Sequence, residues 1–353
     1  MLRRRPLLLA LPMLALPRTA LPLASRPLVF PRDHGAHPAL RTEWWYITGF
    51  VRSGDREFGF QLTFFRSRVD GTEQMKSNFA ARQLIIAHAA VTDVAGRKLW
   101  HDHRIARAGF EVAFAAEDDT RVRLRDWSLV RDPASGGYAA RLPASQFALE
   151  LTCTPTQPLL LQGSAGLSRK GPQPQQASYY YSQPQLATRG RIGLGPRSFD
   201  VEGRSWLDHE WSEELLHPQA VGWDWIGMNL DDGSALTAFR LRRRDGSSLW
   251  DGGSFRSPRD GGLEVFSPGE VAFSAQRYWT SPLSRATYPV EWVVRTPAGF
   301  YTVKPLLDNQ ELDSRQSTGS IYWEGVCELW DSKGQRVGRG YLEMTGYAQP
   351  LRM

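Results

Sequence analysis

The densest group of residues able to do chemistry is Trp206-Leu207-Asp208-His209-Glu210-Trp211, with two carboxylates and an imidazole set between two indoles. As a strand, this run puts Trp206, Asp208 and Glu210 on one side and Leu207, His209 and Trp211 on the other, because side chains alternate. A carboxylate flanked by large rings loses hydration, which disfavours its charged form and raises its pKa. Such an acid can donate a proton near neutral pH. The same residue types also suit a structural task, in which Asp208 or Glu210 accepts buried N–H bonds and holds a junction together. Residue types alone leave both readings open.

Further rings and acids recur along the chain. In Tyr179-Tyr180-Tyr181, alternation puts Tyr179 and Tyr181 on one face, able to line a cavity and to offer hydroxyls or cation-stabilising rings. Ordinary core packing is the alternative. Glu43-Trp44-Trp45-Tyr46 groups Trp44 with Tyr46 and Glu43 with Trp45, and Trp223-Asp224-Trp225 looks like its counterpart later in the chain. His88 lies in the apolar run Leu84-Ile85-Ile86-Ala87-His88-Ala89, so it faces a core or a cavity with its ring bonded. His101 and His103 share a strand face, which suits solvated side chains better than a metal site lacking further ligands. The chain has no G-x-S-x-G elbow, no H-E-x-x-H and no P-loop. Serine hydrolysis, zinc proteolysis and nucleotide use therefore lose support. The expected chemistry is proton transfer, with no cofactor and no metal. Cys153 and Cys327 are too few for a metal site, and whether they pair stays open.

Short strands must position these residues. Glu57-Phe58-Gly59-Phe60-Gln61-Leu62-Thr63-Phe64 and Phe147-Ala148-Leu149-Glu150-Leu151-Thr152 alternate with period two, and little of the sequence reads as helix. Asp232-Gly233, Asp245-Gly246 and Lys333-Gly334 suit hairpin turns. Residues 168–178, rich in Pro and Gln, read as a loop. The chain also repeats itself loosely and in order. Leu62-Thr63-Phe64-Phe65-Arg66 echoes Leu236-Thr237-Ala238-Phe239-Arg240, and Gly203-Arg204-Ser205-Trp206-Leu207-Asp208 echoes Gly338-Arg339-Gly340-Tyr341-Leu342-Glu343. The second echo makes Glu343 the counterpart of Asp208, closing a second barrel in a structural role. Two related β-domains, 36–212 and 213–353, are the expected organisation, with one continuous β-architecture as the alternative.

Composition narrows the partner. The 353 residues carry 43 Lys+Arg against 37 Asp+Glu, a net charge of +6. Four of those arginines (Arg3, Arg4, Arg5 and Arg18) fall within residues 1–24, which hold no acid, so the remainder carries 39 basic against 37 acidic residues, or +2. Without a basic stripe, no nucleic-acid partner is expected. The basic start followed by the apolar Pro6 to Leu16 reads as a signal peptide over 1–24, of either the Sec or the twin-arginine type. Export to the periplasm or beyond follows, without a transmembrane segment, as a monomer that could associate peripherally with the envelope. With 13 Trp, 11 Tyr and 16 Phe, the exported body suits an apolar small molecule.

Six ordered motifs carry a resemblance. They are Arg41-Thr42-Glu43-Trp44-Trp45-Tyr46, Ser178-Tyr179-Tyr180-Tyr181-Ser182, Trp206-Leu207-Asp208-His209-Glu210-Trp211, Gly222-Trp223-Asp224-Trp225, Tyr322-Trp323-Glu324-Gly325 and Gly340-Tyr341-Leu342-Glu343-Met344-Thr345-Gly346-Tyr347. Together they resemble the AttH/CrtC family, which includes carotenoid 1,2-hydratases and secreted lipocalin-like proteins. The resemblance implies an all-β fold of two tandem lipocalin-like antiparallel β-barrels, with an isoprenoid- or lipid-like ligand near their junction. For the hydratases it implies that an acid protonates a terminal isoprenoid double bond and that water captures the cation. Carried over, the aromatic-x-Asp motif falls on Trp206 and Asp208, and the upstream aromatic pair on Tyr179 and Tyr181. Glu43, Trp44, Tyr46, His88, Glu210, Trp223 and Trp225 complete the expected ligand-binding set. Here a Trp stands beside the acid where the hydratases carry a different aromatic, which restrains the transfer. Ligand carriage without turnover is the competing expectation.

Overall fold

The computed structural model describes residues 22–72, 74–214, 216–258 and 261–351. The leader expected over 1–24 lies, up to residue 21, outside the described residues. Apart from one 3-10 turn at Arg32–His34, the described elements are antiparallel strands in two sheets. No described helix is long and apolar enough to cross a membrane.

The first sheet has thirteen strands among the described residues. Its path runs from Lys98–Arg107 through Gln83–Asp93, Arg56–Arg68 and Thr42–Ser53, crosses to Arg197–Glu214 and Ala177–Leu194, and returns through Phe147–Thr154 to Ala113–Ala115. Gln83–Asp93 and Lys98–Arg107 come against Ala113–Ala115 and Arg121–Leu124, so this sheet curls into a nearly complete barrel. Its interior is filled by rings and branched chains, among them Trp45, Phe60, Trp127, Tyr138 and Trp211.

The second sheet has ten described strands, ordered from Leu263–Phe266 through Gly222–Leu230, Arg336–Met344 and Ser320–Trp330 to Ala272–Thr280. It surrounds a separate core around Trp292, Trp323 and Met344. Its outermost strands are not paired with each other among the described residues, so the structure gives two β-sheet units of which the first is nearly closed. Cys153 and Cys327 are buried in different cores, and both are free thiols.

Burial patterns show where the sheets meet. Phe147–Thr154 alternates buried and less buried positions, as a strand with one solvated face must. By contrast, Ser205 to Ser212 within Arg197–Glu214 is buried at every position. One face of that stretch packs into the first barrel. The other meets a third cluster formed by Tyr46, Trp206, Trp225, Phe239, Val326 and Tyr341 from both sheets. The junction is thus an apolar layer of its own, and strands that cross it are covered on both faces.

The sequence repeat has a structural counterpart. Glu43 lies opposite Arg66 and Asp224 opposite Arg240, and each pair forms an ion pair of 2.7 Å. Each acid is followed by an indole, Trp44 or Trp225, whose cross-strand partners are Glu210 and Glu343. By this register Glu343 corresponds to Glu210, two residues from the Asp208 expected from the sequence. A two-residue offset keeps the same face, so alternation could not have detected it.

Candidate active site

A cavity of about 530 Å³ opens between the two sheets. The volume is that of a single small-molecule site. Its walls carry Trp44, Tyr46, Tyr180, Trp223, Trp225 and Phe239, with the carboxyls Asp208, Glu210, Glu324 and Glu343 among them, and Asp70, Glu213 and Glu214 also on the lining. Strand register sets this wall. Asp208 sits opposite Tyr46 on one side and Ser182 on the other, while Glu210 sits opposite Trp44 and Tyr180. Partners in register share a face, so one choice of pairing aims all six the same way.

Asp208 is the most enclosed acid of the first sheet's wall. Its Oδ1 accepts from Ser182 Oγ (2.5 Å) and Trp206 Nε1 (2.7 Å), and its Oδ2 accepts from the Tyr180 hydroxyl (2.8 Å). Trp225 Nε1 reaches the same Tyr180 oxygen at 3.3 Å, linking the sheets. Burial pushes the Asp208 carboxyl up to about 7, and the bonds from Ser182, Trp206 and Tyr180 offset only part of that rise. The group therefore exchanges a proton near neutrality.

Its neighbour Glu210 is held differently. Lys170 Nζ lies 2.9 Å from Glu210 Oε1, Ser178 also donates to that carboxylate, and Lys170 rests over the Tyr180 and Phe239 rings at 4.6 and 4.4 Å. Across the cavity, Glu324 and Glu343 face each other on adjacent strands of the second sheet. Burial raises both carboxyls, and Glu324 is raised further by the charge of Glu343. Glu343 keeps some accessible surface although it lies deep in the protein, as expected of a group facing an internal cavity. His88 lines the cavity while bonding Tyr322 Oη (2.8 Å) and Ser317 Oγ (2.9 Å) of the second sheet, and burial lowers its imidazole to about 3.

Of the residues singled out from sequence, Trp44, Tyr46, His88, Asp208, Glu210, Trp223 and Trp225 line the cavity, and Trp206 supports Asp208 from behind. Tyr179, Tyr181 and Glu43 do not line it. Tyr179 and Tyr181 pair with Trp211 and His209, and all four point into the first barrel. The middle tyrosine, Tyr180, takes the place expected for its neighbours. Glu43 is also inside the barrel. Its Oε1 bonds His37 Nδ1 (2.7 Å) and His209 Nε2 (2.9 Å), and its Oε2 accepts from Arg66 Nε (2.7 Å). Burial works to raise this carboxyl, but the bonds from His209 and His37 outweigh it and hold Glu43 below the usual range.

His37, Glu43 and His209 are also the one cluster, among the described residues, whose donor atoms converge as metal ligands do. Their nitrogens are already bonded to Glu43, and His37 further bonds Asp33 at 2.9 Å. Arg66 and Arg26 balance the two acids. The cluster thus closes its hydrogen bonds as a clamp between the N-terminal segment and the barrel. No local pattern marks Tyr180, Ser182 or Lys170 as a site residue, and the sequence repeat places Glu343 away from the ligand. For Glu324 the Tyr-Trp-Glu motif holds a signal, since it puts an acid beside rings as the Asp208 motif does.

Comparisons with known proteins bear on the whole chain. The AttH-like family profile matches residues 21–347. A crystal structure from Nitrosomonas europaea, provisionally named AttH, is 46% identical over 93% of this chain and 100% of that chain, with a TM-score of 0.86. Kievitone hydratase from Nectria haematococca is 12% identical over 93% of this chain and 98% of that one, with a TM-score of 0.69, a likeness of fold. No curated protein matches the sequence. The chain belongs to the AttH-like family.

Proposed function

From that membership and the cavity between the sheets, we propose an exported protein that binds an apolar, isoprenoid- or lipid-like molecule and adds water to its C=C bond. In this reading the chain works as two lipocalin-like units, 36–212 and 213–353, with the ligand between them. The observation that carries it is Asp208, buried on an aromatic wall with its carboxyl near 7. A protonated Asp208 gives its proton to the less substituted alkene carbon. The resulting tertiary cation has no hydrogen bonds to gain, so the faces of Tyr46, Trp44 and Trp225 stabilise it. Water then forms the C–O bond. The fold shared with kievitone hydratase, an enzyme named for adding water, is consistent with this chemistry.

Carriage without turnover has its own support in the three hydrogen bonds that Asp208 accepts, since a fully bonded acid also suits a structural role. Native mass spectrometry with farnesol and with kievitone separates the two. Hydration is expected to add the mass of one water to the bound ligand, and Asp208→Asn to slow that gain by about 10²–10⁴-fold. Ligand retained unchanged over time supports carriage. Turnover undiminished in Asp208→Asn removes Asp208 as the donor.

A further inference from the structure

Hydration needs a base as well as an acid, because the water that captures a cation must lose a proton. We propose that Glu324 and Glu343 share a single proton and are a further catalytic position, orienting the attacking water and taking its proton. This rests on the hydration reading above.

The pair stands apart from the other acids of the cavity. Glu324 and Glu343 are register partners on adjacent strands, which brings their Cβ atoms within about 4.5–5.5 Å. Among the described residues neither forms an ion pair, whereas Glu210 has Lys170 and Glu213 has Arg68, and Asp208, which has none, is held by three neutral donors. Glu324 is 3% exposed, and its Oε1 has no hydrogen-bond partner although it lines the cavity. The hydroxyl of Tyr46, which stands opposite Asp208, is likewise buried with no partner at hydrogen-bond distance, although it lies close enough to Glu324 to act on that carboxyl. The groups around the pair are Asp208, Glu210, Tyr46, Tyr322, Tyr341 and the Trp223 indole, and none of them is a cation. Two adjacent carboxylates with no cation beside them, one of them almost fully buried, resist ionising together, so one proton stays between them. The unbonded Oε1 and the Tyr46 hydroxyl then offer an acceptor and a donor to one water.

The protons balance. Asp208 loses its proton to carbon as the alkene π pair becomes the new C–H bond. A water lone pair forms the C–O bond, the oxonium O–H breaks, and its proton moves to the Glu pair, which passes from one proton to two. Solvent returns a proton from the pair to Asp208, and nothing is oxidised or reduced.

Infrared titration reads the shared proton directly, whatever the substrate. At pH 8.5 the protein and Asp208→Asn are expected to show a protonated-carboxyl C=O band that both Glu324→Gln and Glu343→Gln remove. Gln is close in shape to the protonated acid; Glu→Asp, which opens the pair, replaces a Gln variant that does not fold and carries the same expectation. A wild-type spectrum without the band, or a band that survives either substitution, overturns the sharing. With farnesol, Glu343→Gln is expected to lower kcat by about 10²–10⁴-fold with a smaller change in KM. Unchanged kcat overturns the role as base. Failure of every alkene to react refutes hydration itself, and the infrared result still decides whether the proton is shared.

Discussion

Two acids two residues apart, Asp208 and Glu210, share a strand face and yet have different partners. Lys170 supplies Glu210 with a counter-charge, whereas Asp208 receives only neutral donors, and these do not repay its burial. The cost has a definite sign. Unfolded, Asp208 ionises near 3.8; folded, near 7. The native state therefore holds a proton that the unfolded chain releases, and stability present below the lower value is lost as pH rises towards the higher one, at about 1.4 kcal/mol per unit. Asp208→Asn removes that dependence. Its melting temperature relative to wild type is expected to rise from pH 4 to about pH 7 and then level off, and a pH-independent difference would contradict the assignment. An acid kept for its proton costs stability at neutral pH, which is a common trade at functional sites.

At the scale of strands, the cavity wall depends on close approach as much as on side-chain identity. Gly227, in Gly222–Leu230, lies beneath the Trp225 indole, and a Cβ there would press into that ring and come within 3.3 Å of Trp206. Gly227→Ala must therefore push Trp225 towards the cavity or shift the strand. A loss of about 1–3 kcal/mol is expected, together with an altered near-UV circular dichroism spectrum and weaker farnesol binding. Wild-type stability and spectrum in this variant would show that the indole has room to move. The same logic explains the continuous burial of Ser205 to Ser212, where a second sheet has replaced solvent.

For the whole molecule, the buried imidazoles, with the lowered Glu43, and the raised carboxyls of the cavity pull stability in opposite directions. Burial lowers His34 and His88 to about 3 and His209 to about 4, so each is neutral when folded, and the unfolded chain gains protons on them below 6.5. Stability from these groups is lost as pH falls. Asp208, Glu324 and Glu343 are raised and lose stability as pH rises. The two slopes oppose each other between about pH 4.5 and 6.5. Thermal unfolding followed from pH 3 to pH 9 is expected to show a plateau in that interval, with decline on both sides. A maximum near pH 8 would mean that the carboxyls of the cavity are not held protonated.

Composition and local alternation were enough for the β-character and for the split of Trp206, Asp208 and Glu210 from Leu207, His209 and Trp211. That alternation spans only a few residues. The sequence by itself could not decide which face of a strand looks into a barrel and which looks onto the second sheet. Alternation alone assigns Tyr179 and Tyr181 to the cavity face, yet their pairing with Trp211 and His209 turns them inward and leaves Tyr180 at the site. Glu43, next to a cavity-lining indole, ends in a His37–His209–Arg66 clamp for the same reason. Glu343 joined the cavity because strand register set it opposite Trp225 and Glu324. Alternation is local and survives in any single strand. Register and coverage are set by partners tens to hundreds of residues away, so only the tertiary structure fixes them.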